Sequence, residues 1–351
     1  MRSLQSIWPT TAHGEWLDGG GERGLVSVIV PTYNRARELM DALESIHEQE
    51  YRPVELIVVD DGSTDQTPKL MEEWASENGR TGEFEVHFEF QPNRGAPSAR
   101  NLGAIRSDGE FLQFLDSDDK LHPEKIASQV RLLRENPEAG FVYCLGTFFG
   151  GEKPGNQLSG FDFNEGGLPA MLQHNLYQTS AALYRRETCR EAGPWDEELG
   201  GAQEWEYAHR ALVACDQKVV FQPKVYNYLR SEDDDTRITE QGNEFLRERL
   251  RALGKVKKTL AHSGLVQKSS VARGLALSYL RLALEMHDQR AADSLVQTAL
   301  RKSQGSAGSL LFFVSSIFLY LHEKTDEGFE YAKRATRAIR RELRRLTSYV
   351  T

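Results

Sequence analysis

Between Val26 and Arg35 the chain reads VSVIVPTYNR, an apolar β-branched run that ends in a proline and a short polar turn. Such a run predicts a buried strand, and the amphipathic spacing that follows over 37–48 predicts a helix. The same alternation continues, with further strands predicted at 55–60, 84–90, 111–115 and 141–147, and helices at 68–78, 98–106 and 124–136. Strands that alternate with crossover helices indicate an α/β fold with a mainly parallel, Rossmann-like sheet and flanking helices.

A second group of elements follows a Gly-, Asn- and Lys-rich segment at 150–167, which predicts a loop. We expect strands at 179–184 and within 218–228, and helices at 186–192 and 204–215. Beyond Gln241 the pattern is almost continuously helical, with segments at 244–261, 267–287, 290–302, 310–322 and 326–346. The sequence therefore predicts an N-terminal tail (1–24), an α/β domain (25–240) and an α-helical C-terminal region (241–351).

Charge, cysteine content and hydropathy limit the classes of function. A formal net charge of −9 over 351 residues argues against a nucleic-acid partner, because phosphate-backbone binding needs a basic surface. The three cysteines lie far apart, which favours neither a zinc site nor a disulfide framework. The longest apolar stretch, 310–321, is shorter than the ~20 residues that span a bilayer. Because the first 24 residues also lack the apolar core of a signal peptide, we expect a cytoplasmic protein.

Polar turns follow the first two predicted strands. Ligands in open parallel sheets collect at the carboxyl ends of strands, so these turns are well placed for a nucleoside. Tyr33, in the first turn, offers a ring face for a base, whereas Asp60, in the second, offers a carboxylate that accepts a hydrogen bond from a pyrimidine N–H. Taken singly, an ordinary strand exit and a helix-capping turn explain the two segments at least as well.

Two further turns carry charge. The segment from Asn93 to Gly103 reads NRGAPSARNLG; Arg100 could support a phosphate or orient a carboxylate, although close helix packing explains the small residues equally well. The apolar run that ends at Leu115 is followed by Asp116, Ser117, Asp118 and Asp119. Paired carboxylates at a strand end can hold a hard divalent cation, with a solvated acidic turn as the alternative.

In this order and spacing, the four turns resemble those of glycosyltransferase family 2 over roughly 25–230. The motifs that carry the resemblance are PTYN, VDDGSTD, NRGAPSARN and LDSDD. The resemblance implies a GT-A fold, an inverting transfer from a nucleotide-diphosphate sugar, most often UDP-linked, and a Mn²⁺ or Mg²⁺ cofactor. It also assigns residues of this chain to the donor site: Pro31, Thr32, Tyr33, Asn34, Asp60, Asp61, Arg100, Asp116 and Ser117 to the nucleotide sugar, and Asp118 to the metal.

The same resemblance implies a catalytic base near the start of the helix predicted at 204–215. An inverting transfer needs a carboxylate that takes the proton from the acceptor hydroxyl as it attacks the anomeric carbon. Gln203-Glu204 occupies the position where the family more often has Glu-Asp, so Glu204 is the candidate. A simpler role for Glu204 is to supply negative charge at a helix N-terminus. The chain also departs from the family after Tyr228, where many relatives place a metal-ligating histidine and this chain continues with Leu229 and Arg230.

The acceptor is predicted only by class, as a carbohydrate, lipid-linked or protein hydroxyl in polysaccharide or glycoconjugate synthesis. The last predicted helix carries seven Lys and Arg residues between Lys333 and Arg345, so peripheral attachment to the cytoplasmic membrane face or a protein contact is an open alternative to a solvated face. Two rival functions stay open: a nucleotidyltransferase, which would usually need a Gly-rich basic loop at the first strand, and a catalytically degenerate scaffold, which Gln203 permits.

Overall fold

The structure is a computed structural model that describes residues 4–78, 80–150, 162–164, 166–173, 178–231, 243–288 and 293–304. The chain divides into two compact units. The first comprises 1–160 and 177–234, and the second comprises 161–176 and 235–351. The segment 161–176, which the sequence analysis assigned to the α/β domain, therefore groups with the C-terminal helices. Among the described residues, no helix is both long and apolar enough to cross a bilayer.

The first unit is built on one mixed sheet. Its nine strands are β1 (Glu22–Thr32), β2 (Val54–Asp60), β3 (Arg80–Thr81), β4 (Phe84–Phe90), β5 (Gly109–Phe114), β6 (Lys120–Leu121), β7 (Phe141–Phe149), β8 (Ala182–Arg185) and β9 (Val219–Arg230). Their order is β3-β4-β2-β1-β5-β8-β7-β9-β6. The four strands β4-β2-β1-β5 pair in parallel, whereas β8 runs antiparallel between β5 and β7. Strands β7 and β9 also pair in parallel. The α/β prediction of a mainly parallel sheet is confirmed.

Helices cover both faces of that sheet. They are α1 (Ala36–His47), α2 (Thr67–Asn78), α3 (Ala96–Arg106), α4 (Lys125–Glu135), α6 (Arg186–Ala192) and α7 (Gln203–Ala214). On one face, alternate residues of β1 and β2 such as Val28 and Leu56 join side chains of α1, α2 and α4 in one buried cluster. On the other face, Ile57 and Val59 pack against Ala99 and Leu102 of α3. Burial of these alternating residues on both faces fixes the register of the strands.

The N-terminal residues pack on the same unit. The indole nitrogen of Trp8 donates a hydrogen bond to the backbone oxygen of Glu191 (3.1 Å), and that of Trp16 donates to the backbone oxygen of Cys189 (3.0 Å). Residues 22–24 already belong to β1. The segment predicted as a tail therefore lies against α6 through its two tryptophans.

The second unit is helical where it is described. Its helices are α5 (Gly167–Gln173), α8 (Asn243–His262), α9 (Ser269–Asp288) and α10 (Asp293–Gln304). Helix α9 packs against the other three. It approaches α5 so closely at Gly274 that a Cβ there would lie 2.9 Å from the Pro169 carbonyl oxygen. The helices predicted at 310–322 and 326–346, with their seven cations, lie outside the described residues.

Candidate active site

The carboxyl ends of the parallel strands meet at one edge of the sheet. Thr32 of β1 is in register with Asp60 of β2, which is in register with Phe90 of β4. On the other side of β1, Ile29 pairs with Phe114 of β5, so the Asp116–Asp119 turn starts beside the first turn. Regular pairing thus places all four predicted motifs at one edge, where ligands bind in open α/β sheets.

The first turn leaves an aromatic ring exposed beside buried polar groups. Pro31 and Thr32 are buried at the end of β1, and the Thr32 hydroxyl has no hydrogen-bond partner among the residues that the structure describes. Tyr33 is 46% exposed. Asn34, with φ of 50°, receives a hydrogen bond at Oδ1 from Thr64 N (2.8 Å), and its own N–H donates to Ser63 Oγ (2.8 Å). Asn34 therefore ties the first turn to the second.

The two aspartates of the second turn have different environments. Asp60 is buried, and one of its oxygens accepts a hydrogen bond from Ser63 N (2.9 Å). The Asp61 carboxylate accepts three hydrogen bonds from the segment 91–95. Their donors are Gln91 Nε2 (2.6 Å), Arg94 N (2.8 Å) and Gly95 N (2.7 Å). Because both Asp61 oxygens are occupied, this side chain holds the third turn in place, and its nucleotide contact stays a prediction.

The third turn continues into α3, which packs tightly on the sheet. A Cβ at Gly103 would lie 2.5 Å from Ile29 Cγ2, and Ala99 is fully buried. The small residues of this motif therefore serve packing. Arg100, from the same helix, points to the site: it donates to Asp116 Oδ1 (2.6 Å) and Gln203 Oε1 (3.1 Å), with its guanidinium 4.6 Å from the Trp195 ring centre.

The three carboxylates of the acidic turn after β5 have different environments. Asp116 and Asp118 are each about one-third exposed and bind Arg100 and Arg35 respectively. Asp119 is buried, where it accepts hydrogen bonds from Ser180 Oγ (3.1 Å) and Arg230 N (3.2 Å). Burial raises the pKa of Asp119 well above its usual range, and the charges of Asp118 and Asp116 raise it further. Ser117, between the first two aspartates, is buried.

Glu204 lies in the first turn of α7, beside the arginine that binds the acidic turn. It is half-buried, and desolvation raises the pKa of its carboxyl; the Arg100 charge lowers that pKa and the Asp116 charge raises it. Glu204 is thus within electrostatic reach of the acidic turn. The next acid, Glu206, is fully buried in a two-point ion pair with Arg210 (2.7 and 2.8 Å) and serves the interior of the fold.

The donor set suits a hard divalent cation bound together with a phosphate ligand. Asp116 and Asp118 supply partly exposed carboxylate oxygens, and their combined charge is already strong enough to raise the pKa of Asp119. Among the described residues, no group of three or more His, Cys, Asp or Glu side chains is arranged to hold a metal. Mg²⁺ commonly binds through one or two carboxylates, waters and substrate phosphates, so two carboxylates fit this mode.

The structure adds three residues that the sequence analysis did not assign. Phe90 is 54% exposed at the end of β4, in register with Asp60. Its place as the last apolar residue of an alternating strand is the signal that could have identified it. Arg35 contacts Asp118, and Arg230 Nε donates to the Asp118 backbone oxygen (3.2 Å). Arg230 thus holds the acidic turn from the end of β9, next to the position where the family resemblance implies a histidine.

Two segments near the strand ends lie largely outside the described residues, and one histidine of α7 lies in the core. Most of the predicted 150–167 loop and the acidic run 232–235 lie outside the described residues. His209 is buried, with Nδ1 2.7 Å from the Trp205 backbone oxygen and its ring 4.4 Å from the Trp205 ring. Burial lowers the pKa of His209 to about 4, so it is a neutral core residue.

The N-terminal part of the chain is similar in sequence to known proteins. A family model described as "Glycosyl transferase family 2" matches residues 27–193. An uncharacterized glycosyltransferase of Haemophilus influenzae is 30% identical over 168 residues, which are 47% of this chain and 64% of that protein. One from Rickettsia felis is 35% identical over 111 residues, 32% of this chain and 17% of that protein. The chain thus spans less than two-thirds of the length of each of these relatives.

Two solved structures share the fold at low sequence identity. S. aureus TarS 1-349 in complex with UDP-GlcNAc has a TM-score of 0.64 and 19% identity, covering 90% of this chain and 92% of that one. The mannosyltransferase PcManGT from Pyrobaculum calidifontis, in complex with GDP-Man and Mn²⁺, has a TM-score of 0.55 and 18% identity, covering 93% and 89%. The predicted GT-A fold is confirmed.

Proposed function

We propose that the protein transfers a sugar from a nucleotide-diphosphate donor to an acceptor hydroxyl with inversion, because residues 27–193 match the family model described as "Glycosyl transferase family 2". A UDP-sugar is the first candidate donor. The acceptor is a carbohydrate, lipid-linked or protein hydroxyl, consistent with polysaccharide or glycoconjugate synthesis at the cytoplasmic face of a membrane. We also propose that the C-terminal helices contact that membrane face or a protein partner.

One observation carries this proposal: Arg100 joins the acidic turn to the start of the helix that holds Glu204. Its guanidinium binds Asp116 at 2.6 Å and Gln203 at 3.1 Å, and Gln203 is the residue before Glu204. A donor diphosphate at the acidic turn and a proton acceptor at Glu204 would then share one site. This is the arrangement that a direct displacement needs.

Donor binding is assigned to the first two turns and the acidic turn. Tyr33, and with it Phe90, offers exposed ring surface for the base, while Asp60 offers a carboxylate for a ring N–H. Asp116 and Ser117 are assigned to the ribose side of the donor. Asp118 would hold Mn²⁺ or Mg²⁺, which when bound neutralises charge on the leaving diphosphate. The UDP-GlcNAc complex of TarS and the GDP-Man and Mn²⁺ complex of PcManGT support a donor of this class.

Glu204 is the proposed general base. A carboxyl whose pKa is raised by burial is a better proton acceptor than an ordinary glutamate, because its basicity lies nearer to working pH. Arg100 opposes that rise through its positive charge and so keeps the carboxylate form accessible. The attack then proceeds in one step, without a covalent enzyme intermediate.

The test measures nucleotide release from a panel of UDP-sugars and GDP-mannose with Mn²⁺, without added acceptor. We expect slow release with one donor, loss of release in Asp118→Ala, and a loss of about 10²-fold or more in Glu204→Gln with nucleotide binding retained. Two variants serve as controls. Asp108→Ala removes an exposed carboxylate at the other end of β5, and Glu187→Gln changes an exposed acid of α6.

Three outcomes contradict the proposal. Nucleotide release that survives Asp118→Ala removes the metal role of that residue, and release that survives Glu204→Gln removes the base role. No release and no nucleotide binding with any sugar donor would favour the scaffold function. Release of pyrophosphate from a nucleoside triphosphate and a sugar phosphate would favour the nucleotidyltransferase.

A further inference from the structure

Two arginine side chains pair with carboxylates of the acidic turn, and one of the two is fixed in position. Arg100 has a side chain only 6% exposed, packed over the Trp195 ring and bonded to Asp116 and Gln203 at once. Moving its guanidinium would break both hydrogen bonds and the ring contact. Arg100 is therefore a fixed part of the site.

The second arginine, Arg35, has a fixed backbone and, among the described residues, a guanidinium paired with Asp118. Its N–H donates to Thr67 Oγ1 (3.2 Å), which fixes where the side chain starts. Its guanidinium lies 3.1 Å from Asp118 Oδ2, and the two side chains are 32% and 30% exposed. Ion pairs this exposed contribute about 0–1 kcal/mol, so exchange of the partner costs little.

The backbone of Asp118 is held in place by a third arginine, Arg230. Its backbone oxygen accepts a hydrogen bond from Arg230 Nε (3.2 Å), while Arg230 also binds Asp41 and donates its N–H to Asp119. The turn therefore stays in place when Arg35 leaves the Asp118 carboxylate. A fixed carboxylate faces a guanidinium that is free to move with its side chain.

A divalent cation on Asp118 would repel the Arg35 guanidinium and compete with it for the carboxylate oxygen. A guanidinium displaced from this pair, beside a metal-bound diphosphate, has a well-matched new ligand, because its planar donors bind phosphate oxygens in pairs. We infer that Arg35 exchanges partners: it pairs with Asp118 in the ligand-free protein and binds the donor diphosphate once a divalent cation takes Asp118. This inference rests on the proposed function.

A purely structural ion pair makes a different prediction. If Arg35 only stabilises the turn, then its removal would lower stability and weaken metal and nucleotide binding together. Partner exchange predicts opposite signs, because Arg35 competes with the cation in the free protein but helps to bind the diphosphate in the complex. The two binding constants therefore separate the two roles.

The test measures Mn²⁺ affinity alone by electron paramagnetic resonance, and UDP and uridine affinities in saturating Mn²⁺ by calorimetry, on the full chain. For Arg35→Ala we expect Mn²⁺ to bind roughly two- to fivefold tighter and UDP roughly five- to fiftyfold weaker, with uridine unchanged. Arg35→Lys should shift both constants in the same directions by less. Arg131→Ala removes an exposed arginine of α4 that pairs with Glu135 and should change neither.

The outcomes distinguish this inference from the proposed function. If Mn²⁺ binding by the unmodified protein is insensitive to Asp118→Ala, then the metal role in the proposed function fails. If Asp118→Ala abolishes Mn²⁺ binding but Arg35→Ala leaves Mn²⁺ affinity unchanged or weaker, then only the partner exchange fails. Equal losses of UDP and uridine affinity would likewise refute it. Unchanged circular dichroism of each variant excludes misfolding.

Discussion

Replacing Lys125 with methionine should remove a specific pH dependence of stability. Lys125 is fully buried in α4, where its Nζ donates to Gln113 Oε1 (2.5 Å) and Gln129 Oε1 (2.7 Å). No carboxylate takes part in these two bonds. Desolvation lowers the pKa of Lys125 from 10.5 to about 8. The folded protein therefore holds this charge at a cost that the unfolded chain does not bear.

The pKa difference gives both the sign and the size of the effect. Between pH 8 and 10.5 the unfolded chain keeps a proton on Lys125 that the folded chain has released, so the free energy of unfolding rises with pH there. At about 1.36 kcal/mol per pH unit, the interval from about 8 to 10.5 corresponds to about 3 kcal/mol. Below pH 8 both states are charged, and above 10.5 both are neutral, so the contribution is constant outside this window.

The measurement is urea unfolding followed by tryptophan fluorescence from pH 7 to 10.5. All five tryptophans lie in the first compact unit, which also contains Lys125, namely Trp8, Trp16, Trp74, Trp195 and Trp205. The free energy of unfolding of the parent minus that of Lys125→Met should rise by about 3 kcal/mol across the window. Both chains carry Cys144→Ala, because the neighbouring Cys144 thiol interacts electrostatically with Lys125.

The control is Lys69→Met, which removes a lysine with a 74% exposed side chain from α2 and should give a flat difference against the parent. A flat difference for Lys125→Met as well would show that Lys125 titrates alike in the folded and unfolded chains. Burial would then not lower the pKa of Lys125. A difference that falls with pH would mean that an unrecognised anion stabilises the charged lysine.

Three further outcomes follow from the same structure. Arg210→Met should cost about 3–5 kcal/mol of unfolding free energy because it leaves Glu206 charged and buried, and Glu206→Leu in the same chain should recover most of that loss. Gly103→Ala should destabilise by about 1–3 kcal/mol in urea unfolding despite alanine's higher helix propensity, since its Cβ would overlap Ile29. The acid limb of the kcat–pH profile should lie above the ordinary glutamate pKa and be absent from the residual activity of Glu204→Gln; a limb unchanged by the substitution would identify another base.

The elements of the parallel half could be predicted because local pattern and tertiary structure agree there. The strand predicted at 84–90 has these bounds in the structure, and the helix predicted at 68–78 is found at Thr67–Asn78. The strand predicted at 179–184 begins instead with a 3₁₀ turn and pairs antiparallel at Ala182–Arg185. Strand direction depends on partners far away in the chain, and two-residue strands such as β3 and β6 have no period to detect.

The candidate site was predictable as a set of turns but not as a set of roles. Asp60 and Asp61 are adjacent in one motif, yet both carboxylate oxygens of Asp61 accept hydrogen bonds from the neighbouring loop. The amide oxygen of Asn34 similarly accepts a hydrogen bond from Thr64 N. The polar side chains of such a motif accept hydrogen bonds from nearby backbone N–H groups, because buried N–H groups without a partner are costly. Those side-chain oxygens are then less available to a ligand. Spacing alone therefore cannot separate the residues that build the turn from those that face the donor.

The roles of the arginines show why this separation needs the folded structure. Arg35 and Arg100 come from different motifs, 65 positions apart in the chain, yet each neutralises one aspartate of the same acidic turn. Burial distinguishes them: the Arg100 side chain is 6% exposed and packs over the Trp195 ring, whereas the Arg35 side chain is 32% exposed. Since an enclosed ion pair resists exchange and an exposed one permits it, the same pair of residue types yields a fixed support on Asp116 and a replaceable partner on Asp118.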